Sequence, residues 1–260
     1  MPEPSATAPA EAIPRRDEAP YRVSAIERVT SSIVEVWLRP LAEPMGFLPG
    51  EYVLLEDSDR RVALRSYSIA NAPRPGGEIS LLVTRVAEGA TSSWVHDRLR
   101  TGDEVILTGP YGSFVADPSC TSPCLYLAAG SGLAPIRALI EASLKATPQR
   151  SLTLVLSART EADVPDRDRL LGWQAEHPQS RFIATLTRAA GAGPRRRVPD
   201  LLVDICPRLA GCEVFIAGSP GFVLACAAVA ETLGAARERV RTEPFFVEPQ
   251  PWSGPPPASG

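Results

Sequence analysis

Histidine is nearly absent from this sequence, which has two in 260 residues, His96 and His177. The five cysteines are odd in number and irregularly spaced: Cys120, Cys124, Cys206, Cys212 and Cys226. This set does not give the paired spacing of a zinc or iron–sulfur site. Nor does it fit the disulfide framework of a short secreted chain. We therefore expect no metal site and no disulfides, and we assign neither histidine a catalytic role.

A basic excess and long apolar runs are also missing. The formal net charge is −3, which argues against a nucleic-acid-binding surface. No apolar run approaches the ~20 residues of a membrane span, and the first twenty residues lack the apolar segment of a secretory signal. We therefore expect a cytoplasmic protein with no membrane or nucleic-acid partner. Hydrophobic residues make up 44%, enough for one large core or two ordinary ones.

The ends of the chain differ from its middle. Residues 1–18 are rich in Pro, Ala, Glu and Arg, and residues 248–260 are rich in Pro, Gly and Ser, so both are predicted to be disordered tails. Residues 19–117 contain short segments separated by Gly/Pro turns, among them VEVWL, YVLLE, RSYSIA and EISLLVTRV. This pattern is typical of an antiparallel barrel or sandwich. One helical segment, TSSWVHDRLR, interrupts it.

The pattern changes in residues 122–247, where apolar strands alternate with helices. The strand CLYLAA precedes the helix APIRALIEASLKA, and the strand SLTLVLSAR precedes the helix RDRLLGWQAEH. RFIATLTR, CEVFIAGSP and RVRTEPFF are the remaining predicted strands. Wholly apolar strands alternating with helices predict a parallel sheet that is covered on both faces.

Two small-residue loops follow strands of this predicted sheet. In AAGSGLAP, Gly130, Ser131 and Gly132 stand between a strand and a helix whose first turn contains Pro135. Glycines let the backbone approach a ligand, and the helix N-terminus offers N–H groups to a phosphate. The second loop, Gly218–Ser219–Pro220, lies in AGSPGFV. A plain tight turn explains either loop alone, but both at the carboxyl edge of one sheet favour a ligand cleft.

Polar residues in the antiparallel half have two readings each. Gly89, Ala90, Thr91 and Ser92 precede a helix, where they form either an ordinary N-cap or a diphosphate cradle. In RSYS, Arg65 suits a phosphate and Tyr67 suits a stacked ring, while Ser66 and Ser68 offer hydroxyls. An exposed edge strand explains RSYS equally well.

Taken together, these motifs resemble those of the ferredoxin–NADP reductase superfamily. RSYSIANAP, EGATSSWVHD, GPYGSF, AAGSGLAPI, SARTEADVPDRDRL, AGSPGFV and TEPFF occur in the family's order across residues 20–247. The sequence looks most like bacterial flavin reductases that supply electrons to oxygenases and other redox proteins. The resemblance implies a six-stranded antiparallel Greek-key β-barrel that binds FAD, followed by a five-stranded parallel Rossmann-like sheet that binds NADPH or NADH.

The resemblance also implies residue roles. Arg65 is expected to bind a flavin phosphate, Tyr67 to pack on the isoalloxazine, and Ser68 to bond near flavin N5. The loop 89–92 is expected to hold the pyrophosphate and the loop 130–135 the coenzyme phosphates. The loop 218–220 is expected to lie near the nicotinamide.

Three departures from the family pattern shape the functional expectation. Ala217 stands where relatives often have a cysteine beside the reacting carbon. The chain continues past TEPFF, so Phe245 or Phe246 is expected to cover the flavin. No ferredoxin domain with a four-cysteine cluster is present, so the expected electron acceptor is a separate [2Fe–2S] ferredoxin, oxygenase component or other redox protein. A free-flavin reductase and a non-catalytic nucleotide-sensing subunit remain alternatives, and the protein is expected to be a monomer.

Coenzyme choice is predicted from basic residues after the second and third parallel strands. Arg159 stands where an acid would favour a free ribose 2′-hydroxyl, and Arg188 and the run 195–197 follow the next strand. This favours NADPH slightly, although a solvated basic loop gives the same pattern.

Overall fold

The structure is a computed structural model that describes residues 18–188 and 197–246. The predicted tails, apart from Glu18, and residues 195 and 196 of the arginine run lie outside the described residues. The described part contains a six-stranded antiparallel sheet and a five-stranded parallel sheet with helices. This is the fold that the resemblance implies.

The antiparallel sheet curls into a barrel. Its strands are β1 (Glu18–Arg28), β2 (Ile33–Pro40), β3 (Tyr52–Asp57), β4 (Arg65–Ser68), β5 (Ile79–Thr84) and β6 (Glu104–Tyr111). Their order is β4-β3-β6-β1-β2-β5, and the helix α1 (Ala90–Asp97) follows β5. The two outer strands meet just beyond β4. There Ile69 bridges Leu81, and the Ala70 N–H donates to the Ser80 carbonyl at 2.8 Å.

The strand β2 shows the predicted alternation of apolar residues, but both of its faces are buried at its amino end. Val34, Val36 and Leu38 lie in the barrel core, on the face that the alternation predicts. Ile33 and Glu35 on the opposite face are buried as well, since that face packs against the second half of the molecule. The strand is therefore covered on both sides at its amino end.

The parallel sheet has the order β11-β10-β7-β8-β9. Its strands are β7 (Cys124–Ala129), β8 (Leu152–Ala158), β9 (Ser180–Leu186), β10 (Glu213–Gly218) and β11 (Val240–Pro244). Its helices are α2 (Leu133–Ala146), α3 (Arg167–Glu176), α4 (Val198–Ile205) and α5 (Pro220–Thr232).

Two cores flank this sheet, which explains its unbroken apolar strands. On β7, Tyr126 and Ala128 enter the core shared with α2 and α3, while Leu125 and Leu127 enter the core shared with α4 and α5. Phe114, just after the barrel, belongs to the first of these cores and meets the Phe215 ring edge-on at 5.4 Å. The barrel therefore packs directly on the α2 side of the sheet.

Residues 18–188 and 197–246 contain neither a membrane-spanning helix nor a cluster of metal ligands. No helix there is long and apolar enough to cross a bilayer. No group of three or more potential metal ligands occurs in the same ranges. All five cysteines are free thiols.

Candidate functional site

The parallel sheet has its topological switch point between β7 and β10. The chain adds β8 and β9 on one side of β7 and then crosses to β10 and β11 on the other side. Open parallel sheets bind ligands at the carboxyl edge of such a point. The loops predicted to bind the coenzyme, at 130–132 and 218–220, are the two loops that flank it.

These two loops are in close backbone contact. A Cβ on Gly132 would lie 2.3 Å from the Ala217 carbonyl oxygen, so only glycine permits this approach. Gly130 has φ +56° and nothing within 4 Å of its Cβ position, which leaves open space above the sheet. Pro135 lies in the first turn of α2, and Ser219 and Pro220 begin α5. The N-termini of both helices thus face the same cleft.

The helix α1 begins beside the strand that carries RSYS. Thr91 donates its hydroxyl to the Ala63 carbonyl at 2.5 Å. Ser92 accepts the Val86 N–H and donates to the Gly89 carbonyl, each at 3.1 Å. The hydroxyl-cap interpretation is therefore wrong, because Gly89 is the N-cap and no side chain caps the helix. The buried hydroxyls face the protein, so a phosphate here would meet backbone N–H groups of the first turn.

Arg65 has an available guanidinium close to this helix start. Its guanidinium donates to the neighbouring Leu64 carbonyl at 2.9 Å, and no carboxylate of the described residues pairs with it. A half-buried, unpaired guanidinium next to a helix N-terminus has the donor set for a phosphate.

The RSYS side chains alternate between two faces of β4. Arg65 and Tyr67 pair with Leu55 and Val53 of β3, both in the barrel core, whereas Ser66 and Ser68 point the other way. Burial raises the pKa of Tyr67 to about 12 in spite of nearby Arg65, so the phenol stays neutral.

Ser68 occupies the position closest to the second half of the molecule. It is buried, and its hydroxyl makes no hydrogen bond within the described part of the chain. Opposite it on β3 is Tyr52, whose ring lies 5.7 Å from that of Tyr111. Ser68 thus lies two residues before Ala70, whose carbonyl accepts a hydrogen bond from Arg137 of the parallel-sheet half.

Glu243 is a site residue that the sequence did not reveal. It lies on β11 directly beside Ala217 of β10. Burial raises its pKa, and burial together with the charge of Glu243 raises the pKa of Tyr52. The charge interaction between Tyr52 and Glu243 therefore connects the barrel with the edge of the parallel sheet where Ala217 lies. TEPFF contains Glu243, but the sequence pattern predicts a role only for its two phenylalanines.

The residues predicted near the nicotinamide occupy three different environments. Ala217 is completely buried in the core beneath Gly132. Phe245 is half-buried, and its N–H donates to the Gly218 carbonyl at 2.7 Å, which holds it at the switch point. Phe246 is 74% exposed. Phe245 is the better placed of the two aromatic residues to border the cleft.

Arg159 and Arg188 lie together at the carboxyl ends of β8 and β9. The Arg188 N–H donates to the Arg159 carbonyl at 2.8 Å. The Arg159 guanidinium is 3.4 Å from Asp163, whose pKa is lowered by the Thr160 hydroxyl and by Arg159. Because the Arg159 side chain is about half exposed, its ion pair with Asp163 is weak. Both arginines are thus accessible at one edge of the sheet.

Comparisons with known proteins agree with this geometry. The family model described as oxidoreductase FAD-binding domain matches residues 21–115, and that described as oxidoreductase NAD-binding domain matches residues 126–228. Ferredoxin–NADP reductase B of Sorangium cellulosum is 34% identical over 70% of this chain and 78% of its own length. The ferredoxin–NAD(P)(+) reductase component of the naphthalene 1,2-dioxygenase system of Pseudomonas putida is 29% identical over 86% of this chain and 68% of its own.

A solved structure gives the same result. The ferredoxin reductase in carbazole 1,9a-dioxygenase superposes with a TM-score of 0.79 at 26% identity, over 90% of this chain and 71% of that one. The fold and the two matched domains define an oxidoreductase that binds FAD and NADPH or NADH. The chain belongs to the ferredoxin–NADP reductase superfamily.

Proposed function

We propose that this protein takes a hydride from NAD(P)H onto bound FAD and passes the electrons to a separate redox protein. The observation that carries this proposal is the combination of an unpaired Arg65 guanidinium in the barrel with two glycine-containing loops at the switch point of the parallel sheet. Support for the acceptor comes from the relatives, which are named as reductase components of oxygenase systems. We propose a [2Fe–2S] ferredoxin or an oxygenase component.

The residues of the barrel fit an FAD. Arg65 and the backbone N–H groups of residues 90–92 would hold its phosphates. The arginine is cationic, the helix N-terminus carries a partial positive charge, and neither is paired with an acidic side chain of the described residues. Tyr67 would pack its neutral ring on the isoalloxazine, and Ser68 would present its hydroxyl near N5. FAD supplies the chemistry of accepting a hydride and releasing electrons singly.

The residues of the parallel sheet would orient the coenzyme. The N-terminus of α2 behind residues 130–132 would hold its phosphates, and residues 218–220 would border the nicotinamide. Phe245, tied to Gly218, would limit water at this point. Burial raises the pKa of the Glu243 carboxyl, which lies beside Ala217 at this edge of the sheet. We expect proximity and orientation to dominate the rate.

Several finer features belong to the same proposal. We take residues 19–117 as the FAD domain and 122–247 as the NAD(P) domain, and the protein as a monomer. Arg159 and Arg188 support NADPH over NADH. Five free thiols are in keeping with a reducing, cytoplasmic setting.

The acceptor is tested by reducing the FAD-loaded protein anaerobically with NAD(P)H and mixing it with ferredoxins from the same cell. Faster reoxidation by one ferredoxin than by oxygen or free flavin supports the proposal. If no protein accepts electrons faster, a free-flavin reductase takes its place, and flavin loss on desalting identifies that case. Absence of turnover with any artificial acceptor would leave only a nucleotide-sensing subunit.

A further inference from the structure

A completely buried arginine connects the two halves of the molecule. Arg137 lies in α2, one turn after the loop that contains Gly132, and its side chain is 0% exposed. Its Nε donates to the Ala70 carbonyl at 2.5 Å, and its Nη2 donates to the Ser80 hydroxyl at 2.7 Å. The same guanidinium forms ion pairs with Glu35 and Asp166.

The partners of Arg137 come from three separate parts of the fold. Ala70 is two residues after Ser68, in the strand segment that leads away from the proposed flavin site. Glu35 lies on the outer face of β2 and is itself 1% exposed. Asp166 is the N-cap of α3 and has a left-handed backbone with φ 54°. Through one side chain, α2 is thus fixed to the barrel and to the start of α3.

A second residue of α2 contacts the same segment of the barrel. Glu141, one turn after Arg137, accepts the Ala72 N–H at 2.9 Å. Arg169 of α3 lies 3.8 Å from Glu35 and 3.9 Å from Glu141, which adds charge to the network. Residues 70–72 are therefore held at two points by a helix that begins at the coenzyme cleft.

The energetics favour a role in orientation rather than in stability. Burying charges is expensive, and apolar residues of similar volume often stabilise a fold as well as a buried ion pair does. A planar guanidinium, however, fixes the directions of several acceptors at once. All three nitrogens of Arg137 are engaged, so it defines the position of β4 relative to α2.

We propose that Arg137 is a positioning residue for hydride transfer. By fixing Ala70 and Glu35 against α2, it sets the distance between the flavin strand that ends at Ser68 and the coenzyme loop at Gly132. This inference rests on the proposed function. A misplacement of about 1 Å between reacting groups costs on the order of a hundredfold in rate, so a small shift at this interface is measurable.

The test compares two lysine variants of buried arginines. Arg137→Lys keeps the positive charge beside Glu35 but loses the planar fork. Arg150→Lys is the matched control. Arg150 is 6% exposed and donates to the Ser122 carbonyl at 2.6 Å. Its side chain bonds residues of the parallel-sheet half and of the connection to it, not of the barrel. Both variants remove the planar fork of a buried arginine, but only Arg137 connects α2 to the barrel, and only Arg137 pairs with carboxylates.

For each protein we would measure bound FAD, the thermal midpoint, the coenzyme Kd and the rate of flavin reduction at saturating NAD(P)H. The long-wavelength absorbance of coenzyme stacked on flavin gives a readout independent of turnover. We expect Arg137→Lys to lower the saturating rate roughly tenfold or more and to weaken this absorbance, with FAD content and coenzyme Kd unchanged. Arg150→Lys should keep both the rate and the absorbance, even where its midpoint falls equally.

Equal rate losses in the two variants, or an unchanged rate in Arg137→Lys, would overturn the proposal. So would a rate loss that merely follows loss of FAD. If Arg137→Lys fails to fold, Glu141→Ala decides the matter, because it removes the contact with Ala72 from a partly exposed side chain and should change rate and absorbance in the same direction. No flavin reduction in the wild-type protein would instead refute the proposed function.

Discussion

Arg65 and Arg137 show opposite uses of the same side chain. Arg137 is fully buried and donates to four partners with four of its five N–H groups, so its donors serve the fold rather than a ligand. Arg65 is half-buried and bonds only the carbonyl of the preceding residue. A polar group that the fold leaves without a partner is available for binding, whereas a satisfied one holds structure.

The first prediction concerns this free guanidinium. Arg65→Ala should weaken FAD binding by about 1.5–3 kcal/mol, as expected for a hydrogen bond to a charged group. Titration of the flavin-free protein with FAD measures the change. Arg22→Ala, which removes an exposed arginine paired with Glu104 from the same barrel, is the control and should have no effect. Equal weakening in both variants would contradict the assignment of Arg65.

The second prediction uses the pKa of Glu243, which burial raises above its ordinary value of 4.5. The folded state binds the proton more tightly than the unfolded state, so stability falls as pH rises through the raised pKa. Glu243→Gln removes this term. The variant should gain thermal stability relative to the wild type between pH 4.5 and neutrality, and gain nothing below pH 4.5. A stability difference that does not vary with pH would show that the carboxyl is not perturbed.

At the scale of single elements, the third prediction concerns the loop before α2. Gly132→Ala would place a Cβ 2.3 Å from the Ala217 carbonyl oxygen and 2.9 Å from the Gly218 nitrogen, both backbone atoms. We expect a loss of about 1–3 kcal/mol in unfolding free energy and weaker coenzyme binding. Gly172→Ala in α3 meets nothing within 4 Å and should instead stabilise by about 0.5–1 kcal/mol. Chemical denaturation and coenzyme titration measure both, and an unaffected Gly132→Ala protein would contradict the close approach.

The fourth prediction concerns the connection from β8 to α3. Arg159→Ala should lower kcat/KM for NADPH roughly fivefold, or about 1 kcal/mol, because the arginine is largely exposed and its charge is screened. The value for NADH should stay the same. Arg167→Ala, on the neighbouring exposed surface of α3, is the control. An equal loss with both coenzymes would mean that Arg159 does not contact a 2′-phosphate.

The sequence predicts elements whose burial follows a simple period. Alternation identifies the inner face of β2, and continuous apolar runs identify β7, β8 and β10. The sequence pattern does not predict β1, because a bulge between Val23 and Ala25 breaks the alternation of buried and exposed residues. Polar residues on its outer face weaken the pattern further. Glu18, the last residue of the predicted tail, is the first residue of this strand.

Residues whose role depends on tertiary contacts are not visible in the sequence. Arg137 in APIRALIEASLKA has the appearance of a solvent-facing charge on an amphipathic helix. Its burial becomes apparent only when β2, β4 and α3 are brought around it. The same holds for Glu243, since its charge acts on Tyr52, a residue that is distant along the chain.

At the scale of the whole molecule, the proposed hydride transfer requires that two half-sites act together. In the proposed function, the flavin half consists of β4 and the start of α1, and the coenzyme half consists of the loops after β7 and β10. Phe114, Arg137 and Glu141 join them through packing, ion pairs and hydrogen bonds. These contacts hold the two halves together, as a single site shared between them requires.

Anaerobic stopped-flow reduction of the FAD-loaded protein tests this central claim most directly. NADPH and NADH would each be used unlabelled and with deuterium at either C4 position. We predict that the visible flavin absorbance is lost in a single turnover, and that deuterium at one of the two C4 positions slows this loss because that C–H bond breaks. Coenzyme that binds without reducing the flavin, or reduction at the same rate with every labelled form, would contradict direct hydride transfer between the two half-sites.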